Sequence, residues 1–269
     1  MNVANETTNK ALVLVALDTL FNKRDYCAAE QYWWSGLILH CAHSAPGRHG
    51  LFDFVKAAPA TLRYEPGLIV ANEDYVIVHG RMTGNGRAMN WIIATILRIE
   101  GACVAEQWQL FEEEASQVEF KSEHPILYSS HMETHVAATS PEQNKALVLQ
   151  ALDVLFNKRD YVAAERFWSQ TYIQHSTHVP PGRDGLFDLV HGLPDTLRYE
   201  NHVILAEGDY VVAHGRYSGH GRPASWIAVD VVRVEDGKLA EHWDIIQDEA
   251  TQAESLSGLP MFGDRFPGD

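Results

Sequence analysis

The sequence has few cysteines, no long apolar run and a shortage of positive charge, and each shortage excludes a class of protein. Its three cysteines, Cys27, Cys41 and Cys103, are odd in number and lie in the first half of the chain. They predict no disulfide framework and favour a reducing compartment. No apolar run approaches the ~20 residues that a membrane helix needs. The opening MNVANETTNK has neither a basic start nor an apolar core, so we expect no secretory signal and a cytoplasmic location.

The charge balance and the absence of several motifs exclude some classes of binding partner. Lys and Arg number 21 against 36 Asp and Glu, which gives a net charge of −15. This excess weighs against nucleic acid and anionic membrane surfaces, which select basic patches. The sequence also lacks a glycine-rich phosphate loop, a nucleophile elbow and a zinc-protease motif. We therefore expect a small-molecule substrate or ligand, with no nucleic acid and no membrane partner.

What the sequence does contain is a long internal repeat. Residues 9–30 are NKALVLVALDTLFNKRDYCAAE and residues 144–165 are NKALVLQALDVLFNKRDYVAAE, at a constant offset of 135 positions. A unit of this length is able to bury its own core, so the repeat predicts two domains. We place their boundaries as follows: a first domain at 1–117, a linker at 118–143, a second domain at 144–254 and a C-terminal tail at 255–269.

The second copy shows a change of hydrophobic period along its length. Helical spacing predicts three helices, at 146–156, at 161–168 behind the capping residue Asp160, and at 186–197, with a polar turn before the third. Alternating segments predict strands at 199–207, 210–217, 224–235 and 239–247. Helices followed by an antiparallel meander predict an α+β unit, with helices packed on one face of a curved sheet of four or more strands.

Strand alternation predicts polar side chains on apolar faces of the second copy. Asp230 falls in an apolar row of the third strand together with Trp226, and His242 and Asp244 share a face of the fourth. His214 lies in an apolar row of the second strand. Buried polar groups are costly without partners. We therefore expect these side chains to meet in a pocket between the sheet and the helices.

The turn after the second predicted helix adds Tyr172, His175 and His178 near the mouth of this pocket. An imidazole beside a carboxylate is suited to proton transfer near neutral pH. Each residue also has a structural interpretation. Asp230 would then only shape the pocket through a hydrogen bond to a histidine or a backbone amide, and His175 would cap the end of an element.

The two copies differ at several of these positions. In the order second copy to first, the pairs are Asp230 and Thr95, His242 and Gln107, Asp244 and Gln109, Tyr172 and Leu37, His175 and His40, His178 and His43, and His214 and His79. The second copy therefore holds the fuller acid/base set. We predict one working pocket in the second copy and a supporting first copy with neutral groups.

The histidines and Asp230 are also ligand types that suit zinc or iron. Their spacing matches no compact metal motif, and the repeated His-x-x-His flanks a turn instead of lying on a helix. We predict that the protein uses no metal and no cofactor.

The second copy resembles a known family. Its order of elements, with FWSQTYIQHSTHVPPGRDG and AVDVVRVEDGKLAEHWDIIQ, is similar to the SnoaL-like branch of the nuclear transport factor 2-like superfamily, including its predicted aldol-condensation enzymes. The resemblance covers residues 144–250 and, more weakly, 9–115. It implies cone-shaped units that pair through their sheets. Here it implies an intramolecular pseudo-dimer of the repeats, with further homo-oligomers left open.

The resemblance also implies roles for single residues. The third-strand Asp of these enzymes falls on Asp230, and the acid/base position after the second helix falls at or near His175, where ketosteroid isomerases carry a carboxylate. Our hypothesis is a cofactor-independent enzyme acting on a small apolar or aromatic carbonyl compound by polyketide cyclase-type (aldol) cyclisation, isomerisation or dehydration (a lyase reaction). His175 would act as acid or base, Asp230 would orient it or shuttle a proton, and His214 or His242 would polarise a substrate oxygen. The alternative is a non-catalytic ligand-binding or assembly module of the same fold.

Overall fold

The computed structural model describes residues 3–114 and 139–267, and the chain forms two compact units. The first unit comprises Met1–Glu114 and Glu249–Asp269, and the second comprises Ala115–Asp248. Most of the predicted linker, 118–143, lies outside the described residues. Within the described part, no helix has both the length and the apolar character needed to span a bilayer.

Each unit is built from the same sequence of elements. In the first unit they are α1 (Val3–Leu17), a π-helical segment (Asp18–Asn22), α2 (Tyr26–Ala29), β1 (Trp33–His40), α3 (Gly47–Ala57), β2 (Arg63–Asn72), β3 (Tyr75–Thr83), β4 (Trp91–Glu100) and β5 (Cys103–Glu113). In the second they are α4 (Pro141–Leu152), a π-helical segment (Asp153–Asn157), α5 (Tyr161–Ala164), β6 (Trp168–Gln174), α6 (Gly182–Gly192), β7 (Arg198–Glu207), β8 (Tyr210–Ser218), β9 (Trp226–Glu235) and β10 (Lys238–Asp248).

Both sheets are open and have five strands. Four consecutive strands form the antiparallel meander, and the first strand of each unit pairs in parallel with the last. The strand orders are β1-β5-β4-β3-β2 and β6-β10-β9-β8-β7. The predicted α+β architecture of two tandem units, each with helices packed on a curved sheet, is confirmed.

The extra strand corrects the predicted turn between the second and third helices. α5 ends at Ala164, and β6 begins at Trp168. Trp168, Tyr172 and Gln174 are buried while the polar residues 170–171 between them are exposed. This irregular burial coincides with a register shift against β10 and hides the period of two that identifies a strand.

Local capping explains where the helices begin. Ser140 and Gln143 form a reciprocal capping box at the start of α4. The Asp160 side chain accepts a hydrogen bond from the backbone N–H of Ala163 at 2.9 Å, which confirms its predicted capping role. The third helix begins and ends earlier than predicted, at Gly182–Gly192, because Pro194 follows and has no N–H to continue it.

Each unit has its own hydrophobic core between the helices and one face of the sheet. The central strands β8 and β9 are buried along most of their length on both faces. Polar residues on either face of these two strands are therefore held away from bulk water.

The C-terminal tail packs within the first unit. The backbone N–H of Leu256 donates to the carbonyl of Ala42 at 3.1 Å, and His40 Nδ1 donates to the carbonyl of Pro260 at 2.8 Å. Met261 and Phe262 are buried. The tail is therefore an ordered arm of the first unit.

Candidate active site

The second unit contains a cavity between its helices and its sheet. The cavity volume is about 70 Å³, and one water molecule needs roughly 10–15 Å³ by the same measure. Its wall is mostly apolar, and the lining residues are Leu152, Phe156, Trp168, Tyr172, Val179, Leu186, Leu189, Val190, Leu193, Leu197, Tyr217, Trp226, Asp230, Val232, Leu239, His242, Asp244 and Ile246. Few polar groups within an apolar wall are typical of a small-molecule site.

Asp230 lies at the polar end of this wall. It is 4% exposed and sits on β9, on the same face as Trp226 and Val232. Its Oδ1 lies 3.0 Å from Nε2 of His242, and its Oδ2 accepts a hydrogen bond of 3.1 Å from the Tyr217 hydroxyl. Both carboxyl oxygens are thus hydrogen-bonded by groups that themselves line the cavity.

His242 is held from both sides. Its Nδ1 lies 2.9 Å from Oε1 of Gln174, on the neighbouring parallel strand β6. Burial lowers the pKa of His242, but the hydrogen bond with Asp230 and the negative charges of Asp244 and Asp230 outweigh burial and raise the pKa above its ordinary value. The net direction favours the imidazolium form.

Asp244 lies directly opposite Asp230 across the β9–β10 pair. The ligand atoms of Asp230, His242 and Asp244 lie within 4.8 Å of one another, and these residue types bind divalent cations. A cation here would have to displace the hydrogen bond between Asp230 and His242. We therefore treat the three residues as a hydrogen-bonded group, and the expectation of no metal stays a prediction.

Tyr217 and Tyr172 add two phenol groups to the cavity wall. Burial and the charge on Asp230 raise the pKa of Tyr217 well above its ordinary value, so it remains a hydrogen-bond donor at neutral pH. The Tyr172 hydroxyl is 3.5 Å from Nε2 of Gln174. Gly215 lets the Tyr199 ring approach β8 closely, because an added Cβ would clash with that ring. The Tyr199 ring in turn lies 4.8 Å from that of Tyr217.

Trp226 closes another part of the wall. The His220 ring stacks on it at 3.8 Å, and the Arg222 guanidinium lies 5.5 Å from its ring centroid. Tyr172, Trp226 and Asp244, which the sequence analysis placed in or near the pocket, all border the cavity together with Asp230 and His242.

The structure does not bring His175 to this cavity. Its Nε2 lies 2.8 Å from Oε1 of Glu241, and its ring stacks on Trp243 at 4.4 Å. Glu241 also accepts a hydrogen bond from Arg233 at 2.8 Å. Burial raises the pKa of Glu241, but the hydrogen bonds from His175 and Arg233 outweigh it, and the net shift is downward. Because residues 241 and 243 alternate with His242, this cluster occupies the other face of the sheet.

His214 and His178 also lie apart from the cavity lining. His214 alternates with Tyr217 along β8 and pairs with His202, their Nδ1 atoms 3.4 Å apart. Its counterpart His79 is fully buried, and burial lowers the pKa of His79 to about 3, so that imidazole is neutral. His178 is exposed, next to the lining residue Val179. The expected pocket location therefore does not hold for His214, whereas the place of His178 near the pocket mouth stays a prediction.

The first unit has neutral groups at the corresponding positions. Thr95 Oγ1 lies 3.4 Å from the Tyr64 hydroxyl, and Gln107 Oε1 accepts a hydrogen bond of 3.1 Å from the Trp33 indole. All of these side chains are buried. The predicted difference between the copies is thus present in the structure. At these positions the first unit has neutral buried hydrogen-bonding groups, and the second has a carboxyl group and an imidazole.

On the opposite face, by contrast, both units carry the same cluster of His, Glu, Trp and Arg side chains. His40 lies 3.0 Å from Glu106, stacks on Trp108 at 4.7 Å, and shares Glu106 with Arg98. This arrangement repeats the cluster around His175. A feature that both units share serves the frame of the fold, whereas the Asp230 group is particular to the second unit.

Sequence analysis missed two polar residues of the site, Gln174 and Tyr217. The difference between the copies could have identified them, since their counterparts in the first copy are Leu39 and Met82. Both positions change from apolar to polar between the copies, whereas Thr95 and Asp230 differ as a neutral and an ionisable residue. A full comparison of the copies, without a prior choice of faces, would have found them.

A comparison with known protein families gives a match over less than half of the chain. Residues 146–255 match the model of the SnoaL-like polyketide cyclase family. No curated protein gives a significant match to the chain.

Several solved structures are similar to parts of the chain. One, from Kribbella flavida, is provisionally assigned as a ketosteroid isomerase; it is 20% identical and covers 48% of this chain and 99% of its own, with a TM-score of 0.39. AclR from Streptomyces galilaeus, provisionally assigned as a hydroxylase, is 28% identical and covers 40% and 81%, with a TM-score of 0.35. TsrD from Streptomyces laurentii is 22% identical and covers 38% and 90%, with a TM-score of 0.33.

Proposed function

Because residues 146–255 match the SnoaL-like polyketide cyclase model, we propose that the second unit is a cofactor-independent acid/base enzyme for a small, uncharged carbonyl compound. The observation that supports this most directly is the placement of Asp230. Its carboxyl group contacts both His242 and Tyr217 and lines an apolar cavity. A carboxylate with two donors in such a setting is suited to accept and return a proton.

The proposed reaction begins with removal of a proton beside a carbonyl. Asp230 takes this proton and becomes a carboxylic acid, while the bonding electrons form an enolate on the substrate. The Nε2–H of His242 and the hydroxyl of Tyr217 then turn from Asp230 to the enolate oxygen. Asp230 finally returns its proton to a carbon or oxygen of the product, which restores the carboxylate. Proton transfer of this kind contributes roughly 10²–10⁴-fold to rate.

The charges around the cavity support an uncharged substrate. None of the described residues that line the cavity is Lys or Arg. Two of them, Asp230 and Asp244, carry carboxyl groups. An anionic substrate would enter an apolar site against two carboxyl groups, with one imidazole as counter-charge. Apolar or aromatic ketones fit the wall of Leu, Val, Tyr and Trp side chains better.

The first chemical step is testable without the natural substrate. A ketone such as 2-indanone exchanges its α-protons in D₂O, and proton NMR follows the exchange. We expect the protein to accelerate this exchange and Asp230→Asn to lose roughly 10²-fold or more of the acceleration. Thr95→Val, the matched change in the first copy, serves as the control and should exchange like the unmodified protein. Equal exchange rates in the Asp230→Asn variant and the unmodified protein would overturn the proposal.

The non-catalytic alternative gives a different result in the same experiment. If 2-indanone quenches tryptophan fluorescence saturably, yet α-proton exchange stays at the buffer rate, the cavity is a binding site and the catalytic proposal is wrong. Trp168 and Trp226 both line the cavity and make this measurement direct.

A further inference from the structure

We infer that Gln174 is a positioning residue that holds His242 in its doubly protonated form, so that Asp230 accepts and returns the proton and His242 donates a hydrogen bond to the substrate oxygen. This inference deepens the proposed function and rests on it. It also corrects the expected distribution of roles, in which His175 was acid or base and His242 one of two residues that polarise a substrate oxygen.

The orientation of the Gln174 side chain is fixed by a backbone group. Gln174 is the last residue of β6 and is 1% exposed. Its Oε1 accepts a hydrogen bond of 3.1 Å from the backbone N–H of Ser176. A backbone N–H only donates, so a flipped amide would set two donors against each other. The oxygen therefore also faces His242 Nδ1, which must carry a hydrogen to bond with it.

The other ring nitrogen meets a second acceptor. His242 Nε2 lies 3.0 Å from Oδ1 of Asp230, which accepts hydrogen bonds when ionised. A neutral imidazole has one N–H and would leave one of these two acceptors facing a lone pair. With Asp230 ionised, only the imidazolium satisfies Gln174 and Asp230 together.

The side chains around His242 are compatible with its positively charged imidazolium form. The titratable groups that line the cavity with it are Asp230 on β9, Asp244 on its own strand, Tyr172 on β6 and Tyr217 on β8. The helical elements contribute apolar side chains to the same lining, such as those of Leu152, Phe156 and Leu186. No group in this set competes with His242 for the positive charge.

The first copy supports the coupling between the two residues. Where the second copy has Gln174 and His242, the first has Leu39 and Gln107. Gln107 instead accepts from the Trp33 indole. The first copy therefore lacks both the amide acceptor and the imidazole. This is expected if Gln174 positions His242 and is not required for the fold that both copies share.

The protonation state is measurable without turnover. Long-range proton–nitrogen NMR of histidine-labelled protein reports the proton on each ring nitrogen. At neutral pH we expect both nitrogens of His242 to be protonated. Gln174→Leu should raise the acid dissociation constant of His242 by about tenfold, the size of one hydrogen bond. Gln174→Glu keeps an acceptor and should hold the proton at least as firmly. The His175 resonances, on the other face of the sheet, should stay unchanged and report intact folding.

The outcomes separate this inference from the proposed function. A neutral His242 in the unmodified protein at neutral pH, or an unchanged dissociation constant in Gln174→Leu, overturns the inference whatever the activity. An imidazolium that behaves as expected, in a protein that does not accelerate α-proton exchange, supports the inferred protonation state and overturns the catalytic proposal. If the inference and the catalytic proposal both hold, the pH–rate profile of α-proton exchange in Gln174→Leu should change as well. Its alkaline limb should move to lower pH by about one unit, which corresponds to the tenfold change in the dissociation constant of His242.

Discussion

Asp230 and His242 form a buried hydrogen bond of 3.0 Å between adjacent strands, at positions where the first unit carries Thr95 and Gln107. The same backbone frame therefore supports either a charged pair or two neutral side chains. The backbone fold that both units share therefore does not require the ionisable side chains of Asp230 and His242.

Exchanging this pair for the residues of the first unit should be strongly non-additive. His242→Gln alone leaves Asp230 buried with a lost partner, and we expect a loss of about 3–5 kcal/mol in unfolding free energy. Asp230→Thr with His242→Gln removes both charges together. We expect the double variant to lose less than the sum of the single losses, by roughly 1–3 kcal/mol. Urea unfolding of the four proteins measures this coupling, and additive losses would contradict it.

The raised pKa of His242 predicts a pH dependence of stability. Below the ordinary histidine pKa of about 6.5, His242 is protonated in both the folded and the unfolded chain, and the full contribution is present. As pH rises through the higher folded pKa, the folded state loses this proton and the contribution disappears. The stability advantage of the unmodified protein over His242→Gln should therefore be larger at about pH 6 than at about pH 9. Urea unfolding at both values checks this, and an advantage that grows with pH would refute it.

Removal of the C-terminal tail should weaken the first unit. Truncation after Glu254 deletes the acceptor for His40 and the buried side chains of Met261 and Phe262. Burial of such side chains contributes roughly 1.5–3 kcal/mol each, so we expect a loss of a few kcal/mol. Hydrogen exchange should increase in β1 and β5 and stay the same in β9. Leu256→Ala is the matched control, since Leu256 is 63% exposed and its loss should have little effect.

The sequence was sufficient to predict the repeat, the α+β class and the four meander strands. Each predicted strand of the second copy lies within two residues of the observed one at both ends, because alternation and turn residues agree there. β6 was missed because its bulge and its exposed polar residues 170–171 resemble a turn. Because that strand was assigned to a turn, the face of the sheet that His175 occupies could not be predicted.

Burial of both faces explains the error at His214. Alternation along β8 correctly groups residues 210, 212 and 214, but the strand is buried on each side. An apolar row therefore fails to distinguish the cavity face from the other face, and Tyr217 was left out. Of the positions that line the cavity on β6 and β8–β10, Tyr172, Tyr217, Asp230, His242 and Asp244 differ between the copies in polarity or charge. The pairing of the two repeats as a pseudo-dimer stays a prediction.

The assignment of residues 249–269 to the first unit has a consequence for folding during synthesis. The amino-terminal unit of a chain usually folds first, as it leaves the ribosome. Here residues 3–114 emerge first but lack the arm that covers His40. We therefore expect the first unit to reach its native packing only after residues 249–269 have also emerged, although most of it is translated first.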